Sequence, residues 1–399
     1  MQRRRHHQAL IDLVRHKRFR HVFFSYCRRP VQVLSRQFIP YRLLDDIFVL
    51  QDEITREVIA ALQLKLTGQP ARKSAVKQTE DTDAYHLYLK GRFYWDKRTP
   101  DNTQKALDYF RQAVEKDPDY APAYAGMADC YALLGFTPYG TMRPSEAFPR
   151  AKAAARKALA LDPSQGEAHA TLGVCALFYD WNWAESEHEF RRSLELAPES
   201  MGTRLWFPVL LSLIGKPEEA IREGRRAIEI DPLSVNAVTL FGQALVFARR
   251  FDEAEIVLKE ALELDPNYPT ALWFLASIHM VHERFSEAVA LTEKFAAIFR
   301  HPVWEAQKGF MWARAGRTED AARVLGELEE MAKRTYVSPF CTCFVHAGLG
   351  DADSFFRMAE ASIEERSGLA LLFNCAWFDR YRSDPRFPEL IRKVGLPQQ

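Results

Sequence analysis

Apolar residues in this chain fall three and four apart, the spacing of one helix face, and the same arrangement returns after 34 residues. In the stretch that starts at Val235, Phe241, Gly242 and Leu245 mark a first helix at positions 7, 8 and 11. Ala254, Leu258 and Ala261 mark a second helix at positions 20, 24 and 27. Counted from Met201, the same positions hold Phe207, Pro208, Leu211, Ala220, Gly224 and Ala227. A stretch from Ala121 opens with Tyr124, Met127, Ala128 and Tyr131, then resumes with Ala151, Ala155 and Ala158. Small residues at positions 8, 20 and 27 let two helix backbones approach closely. Large ones at 7, 11 and 24 fill the space that remains.

Each unit closes on a proline at position 32. Asp231-Pro232 and Asp265-Pro266 lie 34 residues apart, and Ala197-Pro198 precedes the first by another 34. Asp162-Pro163 comes 35 before that, and Asp117-Pro118 lies 45 further upstream. The residue before a proline is pushed out of the right-handed helical region, so the second helix must stop there. The aspartate then offers a side-chain oxygen to local backbone donors in the turn. The longer spacing carries 11 extra residues, which the phase puts between the two helices of one unit, within Phe136–Pro149. Pro138, Gly140, Pro144 and Pro149 predict an exposed loop there, one that can be shortened without harm to the fold.

A helix–turn–helix unit of about 34 residues is the length of a tetratricopeptide repeat. The phased residues resemble that family over residues 84–366. Looser units are readable in Ala106, Phe110, Ala113 and Pro118, and in Gly309, Trp312, Ala321 and Leu328. About eight units start near Ala84, Ala121, Gly166, Met201, Val235, Pro269, Pro302 and Tyr336. The resemblance implies an all-α fold, an α-α superhelix in which each repeat packs on its neighbours.

A narrower resemblance rests on Asp46-Ile47-Phe48-Val49-Leu50-Gln51-Asp52-Glu53-Ile54, Tyr88-Leu89-Lys90-Gly91-Arg92, Tyr336-Val337-Ser338-Pro339 and Arg382-Ser383-Asp384-Pro385-Arg386-Phe387. These look like segments that accompany such repeats in bacterial multidomain regulators. There the repeats follow a winged-helix, protein-kinase or cyclase domain, often with a TolB-like domain between. No effector of that kind has a counterpart in this sequence. The expected organisation is a basic arm over residues 1–42, then a helix (Asp45–Leu66) and linker over 43–82, the remnant of an upstream domain. The repeat array follows over 83–366, and a capping segment over 367–399.

Composition changes this picture in few places. The overall net charge of +1 divides into +10 on residues 1–42, from ten Arg and one Lys against one Asp, and −9 on the rest. The array therefore lacks the basic footprint of a nucleic-acid binder, and the arm reads as a functionless tail that the fold does not need. Cys27, Cys130, Cys175, Cys341, Cys343 and Cys375 show no Cys-x-x-Cys spacing and sit in apolar pattern, which fits a reducing, cytoplasmic setting better than disulfides or zinc. The longest apolar run, around Leu369–Phe378, falls short of the roughly 20 residues of a membrane span.

Candidate chemistry is sparse. Phosphate-cradling glycine loops, His-Glu-x-x-His and Gly-x-Ser-x-Gly are absent, so no enzyme and no cofactor is expected. Glu185-Ser186-Glu187-His188 has Glu-x-x-His spacing without the second motif that di-iron bundles need, and reads as an outer helix face. His279 and His282 lack a third ligand, and His279 holds packing position 11.

In the resembled family, helix positions 2, 5, 9, 12 and 13 line a concave groove. Here position 5 reads Ala125, Ala170, Leu205, Thr239, Trp273, and position 13 reads Leu133, Phe178, Leu213, Phe247, Val281. At position 9 stand Asp129, Val174, Val209, Gln243 and Ser277, so the Lys, Arg and Asn that clamp a terminal carboxylate are missing. An apolar inner face either suits an amphipathic helix or neighbouring domain or fills a tightly wound superhelix. The function expected is a non-catalytic scaffold that binds a protein or peptide partner through this face, with Phe178, Trp206, Phe247 and Trp273 as anchors. The alternative is the sensor portion of a bacterial regulator, kinase or cyclase whose effector lies elsewhere.

Overall fold

The computed structural model describes residues 79–396 apart from 96, 98, 137–139 and 299–300. The arm expected over 1–42 and the helix expected at Asp45–Leu66 lie outside the described residues. Within the unit Lys77–Gln399 the described residues form eight helix pairs. These are α1 (Thr82–Trp95) with α2 (Pro100–Lys116), α3 (Ala121–Gly135) with α4 (Pro144–Leu161), and α5 (Gly166–Cys175) with α6 (Trp183–Leu196). Next come α7 (Met201–Leu213) with α8 (Pro217–Ile230), α9 (Val235–Phe247) with α10 (Phe251–Leu264), and α11 (Pro269–Val281) with α12 (Phe285–Ile298). The last two are α13 (Pro302–Arg314) with α14 (Thr318–Ala332) and α15 (Pro339–Leu349) with α16 (Ala352–Glu364). The chain then runs through two 3₁₀ stretches, Gly368–Asn374 and Ala376–Tyr381, into α17 (Phe387–Val394).

The punctuation seen in the sequence sets these boundaries. Asp117, Asp162, Asp231 and Asp265 cap α2, α4, α8 and α10 in non-helical backbone. Their side chains accept hydrogen bonds from the N–H two residues on, at 3.0, 2.9, 3.2 and 3.0 Å. At the starts, Ser200 and Ser234 accept from the third N–H of α7 and α9, satisfying donors the helix cannot.

Each first helix packs on its own second helix, and along most of the array on the first helix of the next unit. The first helices therefore make the inner layer and the second helices the outer one. Ala220, Ala227, Ala254 and Ala261 are wholly buried where helices cross. A Cβ on Gly242 would stand 2.7 Å from Leu258 Cδ2, which is why position 8 of that unit is glycine. One regularity went unread in the sequence. Gly215, Arg249, Glu283, Gly316 and Gly350 share position 15, in the turn between the two helices, and all have φ between 57° and 83°.

The unit from Ala121 differs from expectation. Its helices have 15 and 18 residues where the unit from Val235 has 13 and 14, so helix absorbs part of the insertion. Pro149 stands inside α4, on its exposed side. The connection is no free loop either. Gly140 is buried, and it must be glycine because a Cβ there would meet the Leu134 carbonyl oxygen at 1.9 Å. Met142 N–H donates to that carbonyl at 3.1 Å. His301 Nε2 lies 3.5 Å from the Gly140 carbonyl oxygen. Arg143 reaches Glu365 at 3.5 Å and lies over the Tyr336 ring at 5.4 Å. The array has thus wound far enough for its second unit to touch its seventh and eighth.

Two outcomes follow. Ala254→Leu forces extra methylenes into a filled crossing and lowers stability by about 1–3 kcal/mol, read as a lower thermal midpoint. Burial pushes His301 down from 6.5 to about 4. The unfolded chain then holds the extra proton, so stability present above pH 6.5 is lost as pH falls through that window. Going from about pH 7 to about pH 5 costs roughly 1–2 kcal/mol, and His301→Gln flattens that slope in denaturant melts.

Candidate interaction groove

α1, α3, α5, α7 and α9 surround an open hollow of roughly 1030 Å³. Leu133, Phe136, Val174, Leu205 and Trp206 give it an apolar wall. Six charged groups also line it: Arg92 and Lys97 against Asp129, Glu167, Glu199 and Asp231. Arg92 spans both Glu167 oxygens at 3.2 and 3.1 Å and lies over the Trp95 ring at 4.8 Å. Lys97 Nζ sits 4.2 Å from the Phe93 ring centre. Thr171 Oγ1 donates to Asp129, and Tyr268 OH donates to Asn236 Oδ1 at 3.1 Å.

Past α9 the inner face is occupied by the chain's own C-terminal segment. The turn before it is held by Tyr336 OH donating to Glu365 at 2.7 Å, and by Ser338 and Ser367 hydroxyls 3.0 Å apart. Arg366 lies over the Trp181 ring at 4.6 Å. Gly368 then passes so close to Phe178 and Phe136 that a Cβ would lie 3.2–3.3 Å from both. Leu369, Leu371, Phe373, Trp377 and Phe378 are buried. Trp377 stacks on Trp273 with ring centres 5.7 Å apart at 24°.

Polar anchors fix the strap at its far end. Arg249 pairs with both Asp379 oxygens at 3.0 Å. Burial pushes the Asp379 carboxyl up, but hydrogen bonds from Arg249 and Arg382 outweigh it and hold it below its usual value. Tyr381 OH donates to the Ala347 carbonyl at 2.9 Å, and Trp183 Nε1 to that of Gly395 at 2.7 Å. The Arg382–Phe387 stretch is structural here: Arg386 pairs with Asp353 at 2.7 Å and with Asp384 at 2.9 Å.

The four aromatic residues predicted from sequence converge. Phe178, Trp206, Phe247 and Trp273 line one small apolar cavity of about 80 Å³, closed on its other side by Leu369, Leu371 and Leu372. Phe136, Leu205, Trp206, Asn236 and Tyr268 belong both to it and to the large hollow, so the two adjoin. Their exposure divides them. Phe178 and Trp273 are interior, at 3% and 6%, while Trp206 and Phe247 are half-buried. Trp206 meets Phe136 and Phe178 edge-on at 5.2 Å.

Phe136, Arg249, Gly368 and Trp377 escaped the sequence reading. Only Arg249 carried a signal: it stands at position 15, where Gly215 and Gly316 stand in other units.

Titratable groups elsewhere do not gather. Among the described residues no three His, Cys, Asp or Glu are grouped to hold a metal ion, and no helix is long and apolar enough to cross a membrane. Burial pushes the Cys341 and Cys375 thiols up to about 12, away from thiolate chemistry. His279 is buried and pushed down from its usual value by that burial, then by Arg284.

The tetratricopeptide-repeat family pattern matches residues 239–300. A candidate adenylate cyclase 3 of Rhizobium meliloti (strain 1021) is 30% identical over 147 residues, 37% of this chain and 25% of that protein. The transcriptional regulator HilA of Salmonella paratyphi A (strain ATCC 9150 / SARB42) is 26% identical over 147 residues, 37% of this chain and 26% of its own length. The chain thus spans about a quarter of the length of the curated relatives it matches. Among solved structures, an IFIT1 monomeric mutant with Gppp-AAAA superposes with a TM-score of 0.55 at 14% identity. That superposition covers 89% of this chain and 78% of the other, a likeness of fold alone.

The interior and half-buried tryptophans separate in a melting experiment. Trp273→Ala removes a ring packed on both the array and the strap and costs about 3–5 kcal/mol. Trp206→Ala costs roughly 1–2 kcal/mol, since part of its surface already meets water. Equal losses would contradict this division.

Proposed function

We propose that this tetratricopeptide-repeat chain is a non-catalytic scaffold that holds a partner protein by a segment laid in the open half of its concave groove. Stacked repeats of this kind offer an extended concave surface suited to binding. The observation that carries the reading is the division of that surface. Beyond α9 the strap fills the inner face, whereas from α1 to α9 the hollow of roughly 1030 Å³ stays open. At the junction stands Trp206, a half-buried aromatic side chain in a cleft, the residue type that most often anchors an interface.

Phe178, Phe247 and Trp273 support this anchor. They surround the apolar cavity beside it, and through Trp377 and Leu369 they hold the strap that closes the groove's far end. The cyclase and HilA likeness covers 37% of this chain, so neither cyclase nor transcriptional activity is carried over.

Crosslinked capture from cells that make the protein tests the reading, with the full chain, Trp206→Ala and Ile256→Ala run side by side. Ile256 is 62% exposed on the outer helix α10. A partner held by the full chain and by Ile256→Ala is captured at least roughly tenfold less by Trp206→Ala, equivalent to about 1.4 kcal/mol. Equal capture by all three refutes the groove as the binding face.

A further inference from the structure

The open hollow, the aromatic cavity and the charge around them specify what kind of segment fits. The carboxylates of Asp129, Glu167, Glu199 and Asp231 outnumber the cations of Arg92 and Lys97 by two. Arg92 already serves Glu167, and Lys97 lies over Phe93. Glu199 and Asp231 are exposed at the rim, in the turns that lead into α7 and α9. A positively charged guest is therefore favoured there, and a negatively charged one is repelled.

Further in, the walls turn apolar. The cavity of about 80 Å³ behind Trp206 is the size of one side-chain tip and is ringed by Phe136, Phe178, Phe247 and Leu372. Trp273 also lines it, and its indole N–H is buried without an acceptor among the described residues. The strap supplies a template beside it. The chain's own Gly368–Asn374 lies on the same inner face as a 3₁₀ strip with leucines at 369, 371 and 372, not as an α-helix.

We propose that the open half of the groove binds a non-helical peptide segment with a large aliphatic or aromatic side chain flanked by Lys or Arg. This rests on the groove reading above and deepens it by naming the partner's chemistry. The apolar side chain enters the cavity behind Trp206. The flanking cations lie over the carboxylate rim, their methylene stems against the aromatic wall.

Fluorescence anisotropy on the full chain tests it with two labelled nonapeptides that share a Leu-Leu-Phe centre. One is flanked by lysines and the other by glutamates. The lysine-flanked peptide binds roughly tenfold tighter at low salt, and the ratio shrinks as salt is added. Glu199→Gln with Asp231→Asn, both at exposed sites, cuts the ratio to about threefold or less. Trp206→Ala weakens both peptides.

Equal or tighter binding of the glutamate-flanked peptide overturns the inference. If Trp206→Ala still abolishes that binding, the groove reading stands without it. A lysine preference untouched by Trp206→Ala overturns both, because the site then lies elsewhere. Absence of binding by either peptide overturns the inference alone, and partner capture then decides the groove.

Discussion

The close approach of paired helix backbones is the constraint on which everything else in this molecule depends. Ala220, Ala227, Ala254 and Ala261 are wholly buried, and Gly242 leaves no room for a Cβ against Leu258. Interiors are packed as densely as organic crystals, so such a crossing has little slack. A small rotation at each crossing, repeated through eight pairs, becomes a superhelix. Its winding is tight enough that the connection at Gly140–Arg143 meets His301, Tyr336 and Glu365 across the axis. A slightly larger residue at the crossings would open the coil and part those contacts.

Tight winding also decides what the concave face can do. A narrow interior lets one short segment bridge opposite walls, and the strap does so. It touches Phe178 in the third unit, Arg249 in the fifth, Trp273 in the sixth and Ala347 in the eighth. The C-terminal half of the groove becomes core and only the N-terminal half remains a surface. Arg249 illustrates the trade. At position 15 it holds a left-handed conformation that Gly215, Gly316 and Gly350 take in three other units and only Glu283 shares there without being glycine, at a backbone cost of about 1–2 kcal/mol. In return its guanidinium lies where it can grip Asp379.

The same division explains why four aromatic residues in equivalent stretches have unequal roles. Trp273 is stacked between the array and Trp377 and belongs to the interior. Trp206 stands at the boundary, with one flank on Phe136 and Phe178 and the other on the open hollow. Position within a repeat sets which layer a side chain joins. Position along the superhelix sets whether that layer is covered.

Much of the fold was legible in the sequence because it is local. Helix faces, the aspartates that end α2, α4, α8 and α10, and the small residues at the crossings are set by neighbours within one or two units. A repeating pattern states them several times over. The candidate site was legible only in part, since Phe178, Trp206, Phe247 and Trp273 could be put on the inner face but not sorted. Three things required the tertiary structure: the burial of Gly140, the helical course through Pro149, and the path of Gly368–Tyr381 along the groove. Each depends on contacts between residues more than a hundred positions apart, or on a backbone route that periodicity does not encode. Such contacts arise from the summed twist of all the crossings, which no single repeat carries. The sequence by itself determined the unit and its stacking; the accumulated geometry decided which half of the groove stays open.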